Sequence, residues 1–436
     1  MKNSSIYKIP NNWDWIKLGK ITTIVGGGTP SSKINEYYYN GDIAWITPSD
    51  LSNYNDMYIS KGKKMITKLG LMKSSAKLLP KGTVCLSSRA PIGYVVIAKN
   101  ELSTNQGFKS FLPSKAFKSE YLYWYLKSIK HILEAKASGT TFLELSAKKA
   151  GEVEIPLPPI NEQQRIVNRI ESLFTKLDKA KELIENTLAQ FEQNKMAILH
   201  KASTGELTAK WRKENNIDLS SWKEKTIDEL CTSLKYGTSK KSKPEGSVVV
   251  LRMGNLQNGE IDWSNLMYTD DKEDIEKYLL KKGDVLFNRT NSPELVGKTS
   301  IYRGEYPAIY AGYLIKLDYG KNIIGEYLNY IMNSTKAKHY CYTVKTDGVS
   351  QSNINAKKIG AFKIPVPTIE EQQEIVNILD KLLAKYNKIK DLEKQLEQIE
   401  LLKKAILAKA FRGELGTNNP DEESAEVLLK EILAEK

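Results

Sequence analysis

The stretch Ile155-Pro156-Leu157-Pro158-Pro159-Ile160-Asn161-Glu162-Gln163-Gln164-Arg165-Ile166-Val167 recurs as Ile364-Pro365-Val366-Pro367-Thr368-Ile369-Glu370-Glu371-Gln372-Gln373-Glu374-Ile375-Val376, 209 residues further on. At the same offset, Gly139, Ala147-Lys148-Lys149 and Gly151 match Gly348, Ala356-Lys357-Lys358 and Gly360. Downstream, Ala197-Ile198-Leu199 and Gly205-Glu206-Leu207 match Ala405-Ile406-Leu407 and Gly413-Glu414-Leu415 at offset 208. One unit of roughly 208 residues is therefore used twice, and internal repetition decides the architecture before any single motif does.

Within each unit the second part reads as a long helix. Pro158 and Pro159 end the preceding strand, and Asn161 can cap the start. Apolar residues follow at Ile166, Ile170, Leu173, Leu177, Ala180, Ile184, Leu188 and Phe191. The partner stripe is Ile375, Leu379, Leu382, Tyr386, Ile389, Leu392, Leu396, Ile399 and Ile406. Spacings that alternate four and three mark a coiled-coil seam, and a long bundle helix shows the same stripe. Either way these are packing positions. Each helix is about 40 residues, or about 60 Å, long at 1.5 Å per residue.

The first part of each unit is mixed. Short strand-like runs (Asp42–Ile46, Thr83–Leu86, Ser247–Leu251) alternate with Gly- and Asn-bearing turns, and one amphipathic helix closes each part, Glu120 to about Ala137 and Gly325 to about Tyr340. The fold class is thus α+β, with boundaries at 1–159 and 220–367 for the mixed domains, 160–203 and 368–412 for the helices, 204–219 for a linker and 413–436 for an acidic tail.

Composition narrows the function. A chain of 436 residues with 41% hydrophobic and 27% charged residues is an ordinary folded protein, and it has no apolar run of membrane-spanning length. Met1-Lys2-Asn3-Ser4-Ser5 lacks the apolar core expected of a signal peptide, so the cytoplasm is the expected compartment. Cys85, Cys231 and Cys341 are too scattered for a disulfide framework or zinc knuckle, and His131, His200 and His339 lack metal-ligand spacing. No cofactor and no metal are expected. Of the net charge of +13, residues 1–159 carry 22 basic against 11 acidic side chains and residues 220–366 carry 22 against 17. Two cationic blocks suit a polyanion, and a lysine-rich solvated surface would look the same.

Gly297-Lys298-Thr299 invites a phosphate-loop reading, but Ser292 stands where a Walker loop needs its first glycine. No Asn-Pro-Pro-Tyr or Asp-Pro-Pro-Tyr sequence is present to hold a flipped adenine, and no glycine-rich methyl-donor signature accompanies it. Basic and amide side chains beside turns are the candidates for contact with duplex DNA, because Arg pairs bidentately with guanine and Asn or Gln with adenine. In the first domain they are Lys33, Arg89, Thr141, Lys148 and Lys149; in the second, Lys240, Lys241, Lys243, Arg252, Asn288, Arg289, Gln351, Lys357 and Lys358. Arg89 and Arg289 lead, since both directly follow a strand opened by Lys-Gly; a structural salt bridge is their alternative role.

Together these features resemble the specificity subunit of type I restriction–modification systems, over essentially the whole chain. The doubled Pro-Leu-Pro-Pro…Glu-Gln-Gln pattern carries most of the likeness. Gly205-Glu206-Leu207-Thr208-Ala209-Lys210-Trp211-Arg212 looks like the family's central motif. Gly27-Gly28-Thr29-Pro30-Ser31 with Ala44-Trp45-Ile46-Thr47-Pro48-Ser49-Asp50-Leu51 looks like a target-recognition domain. In the second half Lys235-Tyr236-Gly237-Thr238-Ser239-Lys240 stands in place of the Gly-Gly-Thr-Pro-Ser turn.

The resemblance implies two target-recognition domains held apart by an antiparallel two-helix coiled coil with pseudo-two-fold symmetry. Each domain would read half of a split site on double-stranded DNA. The helices would dock two modification (adenine methyltransferase) subunits, to which restriction (translocase–nuclease) subunits add, with no membrane involved. A self-sufficient methyltransferase or nuclease fused to its reader, or a coiled-coil scaffold binding RNA or protein, are the competing classes. The duplication leaves no segment over for a catalytic domain. The purified chain alone is accordingly expected to turn over neither ATP, methyl donor nor phosphodiester bonds; turnover that survives rigorous purification would contradict this.

Overall fold

The computed structural model describes residues 7–139, 143–384 and 390–434. They fall into two compact units, Met1–Leu183 with Lys394–Lys436, and Ile184–Glu393. The first long helix spans Ile160–Thr204; the second is described as Ile369–Ala384 and Lys390–Ala410.

In the first unit a five-stranded sheet runs in the order Ile24–Gly26, Phe108–Phe111, Val84–Ser88, Ile92–Ala98, Tyr58–Ile59. A three-stranded sheet places Ile43–Ile46 between Lys64–Ile66 (antiparallel) and Ser103–Thr104 (parallel). The second unit repeats the plan. A four-stranded sheet runs Cys231–Tyr236, Leu314–Tyr319, Val285–Asn288, Thr299–Ile301. Val248–Leu251 lies between Tyr268–Thr269 (antiparallel) and Ala308–Tyr310 (parallel). The closing helix of each domain is broken, unlike the single helix the sequence suggests. Ser119–Ser128 and Lys130–Lys136 meet at Ile129, and Gly325–Met332 is followed by Thr335–Val344, where the Ser334 hydroxyl accepts from the Ala337 N–H and starts a new helix.

The repeated motif makes the same joint twice. Asp14–Lys17 pairs antiparallel with Glu154–Leu157, and Lys223–Thr226 with Lys363–Val366; Trp15 faces Pro156 and Glu224 faces Pro365, the same register 209 residues apart. Gln163 accepts from the Lys118 N–H at 2.8 Å and donates to the carbonyls of Ala116 (2.9 Å) and Pro158 (3.1 Å). Its counterpart Gln372 accepts from the Ile324 N–H at 2.8 Å and donates to the carbonyls of Asn322 (3.1 Å) and Pro367 (2.9 Å). The Tyr121 and Tyr327 hydroxyls donate to the carbonyls of Pro156 and Pro365. Each glutamine thereby satisfies backbone groups at a proline break, where no ladder hydrogen bond is available.

The preceding glutamate is fully buried in both copies. Glu162 accepts from the Trp13 indole at 2.9 Å and from Asn418 at 3.0 Å. Glu371 accepts from the Trp222 indole at 2.9 Å, from Thr208 at 2.6 Å and from Arg212 at 2.6 Å. Burial raises the Glu162 carboxyl above its ordinary pKa, and the hydrogen bonds from Trp13 and Asn418 work against that rise. In each unit the capping chain is the segment that follows a long helix: residues 205–222 close over Glu371, and residues 413–434 over Glu162. The first long helix stops at Thr204 because Gly205, at φ +80°, turns the chain, so helix does not continue through the Gly205-Glu206-Leu207 junction.

The acidic tail is structured as well. Arg165 donates both terminal nitrogens to Glu422 at 2.7 Å, and helix Ala425–Ala434 buries Leu429 and Ile432 in the first core. Along the long helices, Ile166, Ile170, Ile375 and Leu379 sit fully inside the domain cores. Leu173, Leu177, Ile184, Leu188, Leu382 and Leu396 are only half-buried, because they lie beyond the sheets that cover the helix ends. Tyr386 and Ile389 lie outside the described residues. In the first unit Lys181 pairs with Glu400, Lys403 pairs with Asp178, and the Lys403 ammonium lies over the Phe174 ring, so the two chain directions oppose one another there.

Arg212→Met strips the fully buried Glu371 of its cation and is expected to cost about 3–5 kcal/mol. Arg165→Met, which breaks a half-exposed pair, is expected to cost about 1 kcal/mol or less. Denaturant unfolding of the purified chain measures both; equal destabilisation would mean that Glu371 does not depend on its arginine.

Candidate nucleic-acid interface

In both mixed domains a loop lies against neighbouring backbone at a glycine. The Gly28 N–H donates to the Thr104 carbonyl at 2.9 Å, and its own carbonyl accepts from the Trp45 indole at 3.0 Å. A Cβ on the neighbouring Gly27 would lie 2.0 Å from the Asn105 carbonyl oxygen. In the second domain a Cβ on Gly237 would lie 2.1 Å from the Tyr310 carbonyl oxygen, and the Thr238 N–H donates to that same carbonyl at 2.9 Å. The close approach is shared although the surrounding turn sequences differ. After the middle strand, Asp50 accepts from the Thr47 N–H at 2.7 Å, and Asn255 accepts from the Arg252 N–H at 2.9 Å. The Thr-Pro-Ser-Asp motif thus shapes a turn, and Arg252 occupies the place that Thr47 has in the first domain.

The structure separates the sequence candidates into braced and free. Arg89 lies 3.9 Å from Glu144, which also holds Lys109 at 3.0 Å. Arg289 lies 4.9 Å over the Tyr236 ring and donates to the Gly312 carbonyl (3.3 Å) and to Asn353 (3.1 Å). Asn288 is fully buried and accepts from the Thr290 N–H. Arg252 donates to the Asn265 carbonyl at 2.8 Å. Lys240 is held by Asp271 at 2.8 Å and by Glu273 and Asp274, and the Asp271 hydrogen bond raises its pKa. Lys358 donates to the Val344 carbonyl and to Thr346. Lys33, Lys148, Lys241, Lys243, Gln351 and Lys357 have no side-chain hydrogen bond or ion pair among the described residues; Lys149 is half-buried beside them in sequence, and Thr141 lies outside the described residues. Thr299 opens a strand, whereas a phosphate loop leads into a helix.

A family model described as Type I restriction modification DNA specificity domain matches residues 10–190 and again residues 220–400. The chain belongs to this family. The type I restriction enzyme MjaIX specificity subunit of Methanocaldococcus jannaschii is 30% identical over 424 residues, covering 95% of this chain and 96% of that one. The type I restriction enzyme EcoKI specificity subunit of Escherichia coli K12 is 27% identical over 458 residues, covering 98% and 96%. In fold, a solved chain from work on complex assembly and conformational transition of the type I R-M system matches with a TM-score of 0.70 at 20% identity, covering 94% of this chain and 100% of that one. As a type I specificity subunit the chain is a non-catalytic component.

One cationic segment of this specificity subunit matches none of the sequence motifs. Residues 57–100 hold nine basic side chains and no acidic one. Lys61, Lys63, Lys64, Lys68, Lys73 and Lys77 are all exposed, and none has a carboxylate within 4.0 Å among the described residues. At the same place in the second domain, helix Lys272–Tyr278 is acidic and pairs with Lys240. A run of basic residues without acids was the signal available. Changing Lys68, Lys73 and Lys77 to Gln is expected to weaken binding to every duplex and to flatten the salt dependence, by about 0.9 in the log–log slope for each phosphate no longer neutralised. Lys240→Gln should leave the slope unchanged, because that charge is already compensated. Equal slopes for the triple variant and the parent, in binding titrations at several salt concentrations, would remove this segment from the interface.

Proposed function

We propose that the chain reads a bipartite site on double-stranded DNA, one half-site by the domain at residues 1–159 and the other by the domain at 220–367. The observation that carries this is the coincidence of sameness and difference. Two domains share the order of four strands in their main sheets, the register of the entry pair and the Glu–Gln joint 209 residues apart, yet differ at their loops and exposed charges. A common mount with divergent loops suits two readers of different base sequences.

The helices at 160–203 and 368–412 pack as an antiparallel coiled coil with pseudo-two-fold symmetry and set the distance between the half-sites. They dock two adenine methyltransferase subunits, to which translocase–nuclease subunits add, in the cytoplasm. The linker at 204–219 and the tail at 413–436 close the two joints. The half-sites are then inverted in orientation, with unread bases between them.

Two experiments test this reading. Replacing residues 1–155 with the matching domain of a relative is expected to change one half-site and leave the other intact; a change in both would contradict modular recognition. Four residues inserted within helix Ile160–Thr204, with a matching insertion in the second helix, should shift one domain by about 6 Å, which is one or two base pairs of spacer at about 3.4 Å each. An unchanged spacer with full activity would mean that the helices do not set the distance.

A further inference from the structure

Polar side chains in the second domain converge on the base of a single hairpin. Its strands, Thr346–Asp347 and Ser352–Asn353, pair in register, and Ser352–Asn353 also pairs with Thr290–Asn291. Asn353 donates to Thr290 at 2.8 Å and accepts from Arg289 at 3.1 Å, while Arg289 lies on Tyr236. Lys345 pairs with Asp347, Ser352 donates to Asp347, and Lys358 ties Thr346 to the Val344 carbonyl. The Gly348 N–H closes the turn on the Gln351 carbonyl at 2.8 Å. Arg289, the arginine that sequence favours as a base reader, is therefore engaged in holding this ribbon.

What the brace leaves projecting is Gly348-Val349-Ser350-Gln351. Val349 is 110% exposed, more open than an extended reference chain, and the exposed Gln351 side chain has no hydrogen-bond partner among the described residues. Ordering a bare tip costs conformational entropy, so a brace of this extent has a positional purpose. A two-stranded ribbon fits the DNA major groove, a Gln amide pairs bidentately with adenine N6 and N7, and an apolar side chain packs on the thymine methyl. Both chemistries select A·T.

We propose that this tip is the reading finger of the second domain, with Gln351 and Val349 specifying an A·T-containing step of its half-site while Arg289 and Asn353 position it. The proposal rests on the DNA-reading function above. At the same offset the first domain has Thr140-Thr141-Phe142 where the second has Val349-Ser350-Gln351, so the sequences differ at the place where the two readers would have to differ.

The test is selection by the full chain from duplex libraries randomised over both half-sites. The parent should yield a bipartite motif with at least one A·T pair in the half read by the second domain. Gln351→Ala should reduce the preference at one such pair by about tenfold or more, leaving the other half-site unchanged. Val349→Gly should abolish discrimination between thymine and uracil at the same or the adjacent pair. Both side chains are exposed, so thermal unfolding should match the parent. Unaltered base preferences in both variants would overturn the proposal, whether affinity holds or falls uniformly; if binding of a modification subunit falls instead, the tip is a docking surface. A parent that selects no motif would overturn the DNA-reading function itself.

Discussion

Everything else in this chain hangs on two buried glutamates at the starts of two long helices. A carboxylate withdrawn from water is costly unless hydrogen bonds replace its solvation. Glu162 and Glu371 each obtain an indole N–H from a tryptophan that precedes the first strand of their domain, and further donors from a segment that follows a long helix. The adjacent glutamine staples the loop before the closing helix. Three parts of the chain far apart in sequence, the entry strand, the helix start and the returning segment, meet on two consecutive side chains. That meeting seats a recognition domain on its helix, and it happens twice.

The two seats are closed differently. At Glu371 the returning segment supplies Arg212, so the buried charge has a cation. At Glu162 it supplies Asn418 and Thr417, neutral donors, while the nearby Arg165 is taken by Glu422 of the tail. The tail then adds a helix for which the first core provides a face at Leu429 and Ile432. Duplication therefore preserved the geometry of the joint rather than its charge balance. The same holds for the surfaces, where a segment of exposed, unpaired lysines in one domain corresponds to an acidic helix paired with Lys240 in the other.

Local patterns were readable in the sequence, and long-range pairings were not. Proline breaks, the Glu-Gln-Gln run and the apolar stripes mark helix starts and inward faces from spacing alone, and Ile166, Ile170, Ile375 and Leu379 on those stripes are fully buried in the domain cores. The kinks at Ile129 and Ser334 depend on a carbonyl or hydroxyl finding a partner a turn away, which hydrophobic spacing does not encode. Arg289 shows the deeper limit. A basic residue after a strand reads the same whether it faces solvent or lies on Tyr236 and Asn353, partners 53 and 64 positions away in the chain. Its engagement moves attention to Gln351, a residue equally visible in the sequence, which the structure leaves exposed at the tip of the hairpin that Arg289 braces.

We propose that this subunit supplies sequence choice, through two separate readings, to partner enzymes. Genome-wide mapping of methylated adenine in cells with and without the gene for this chain addresses it directly. A single motif should lose its methylation when the gene is removed, with two specified, inverted half-sites separated by bases of no preference. Methylation unchanged by the deletion, or the loss of one short uninterrupted motif, would contradict it.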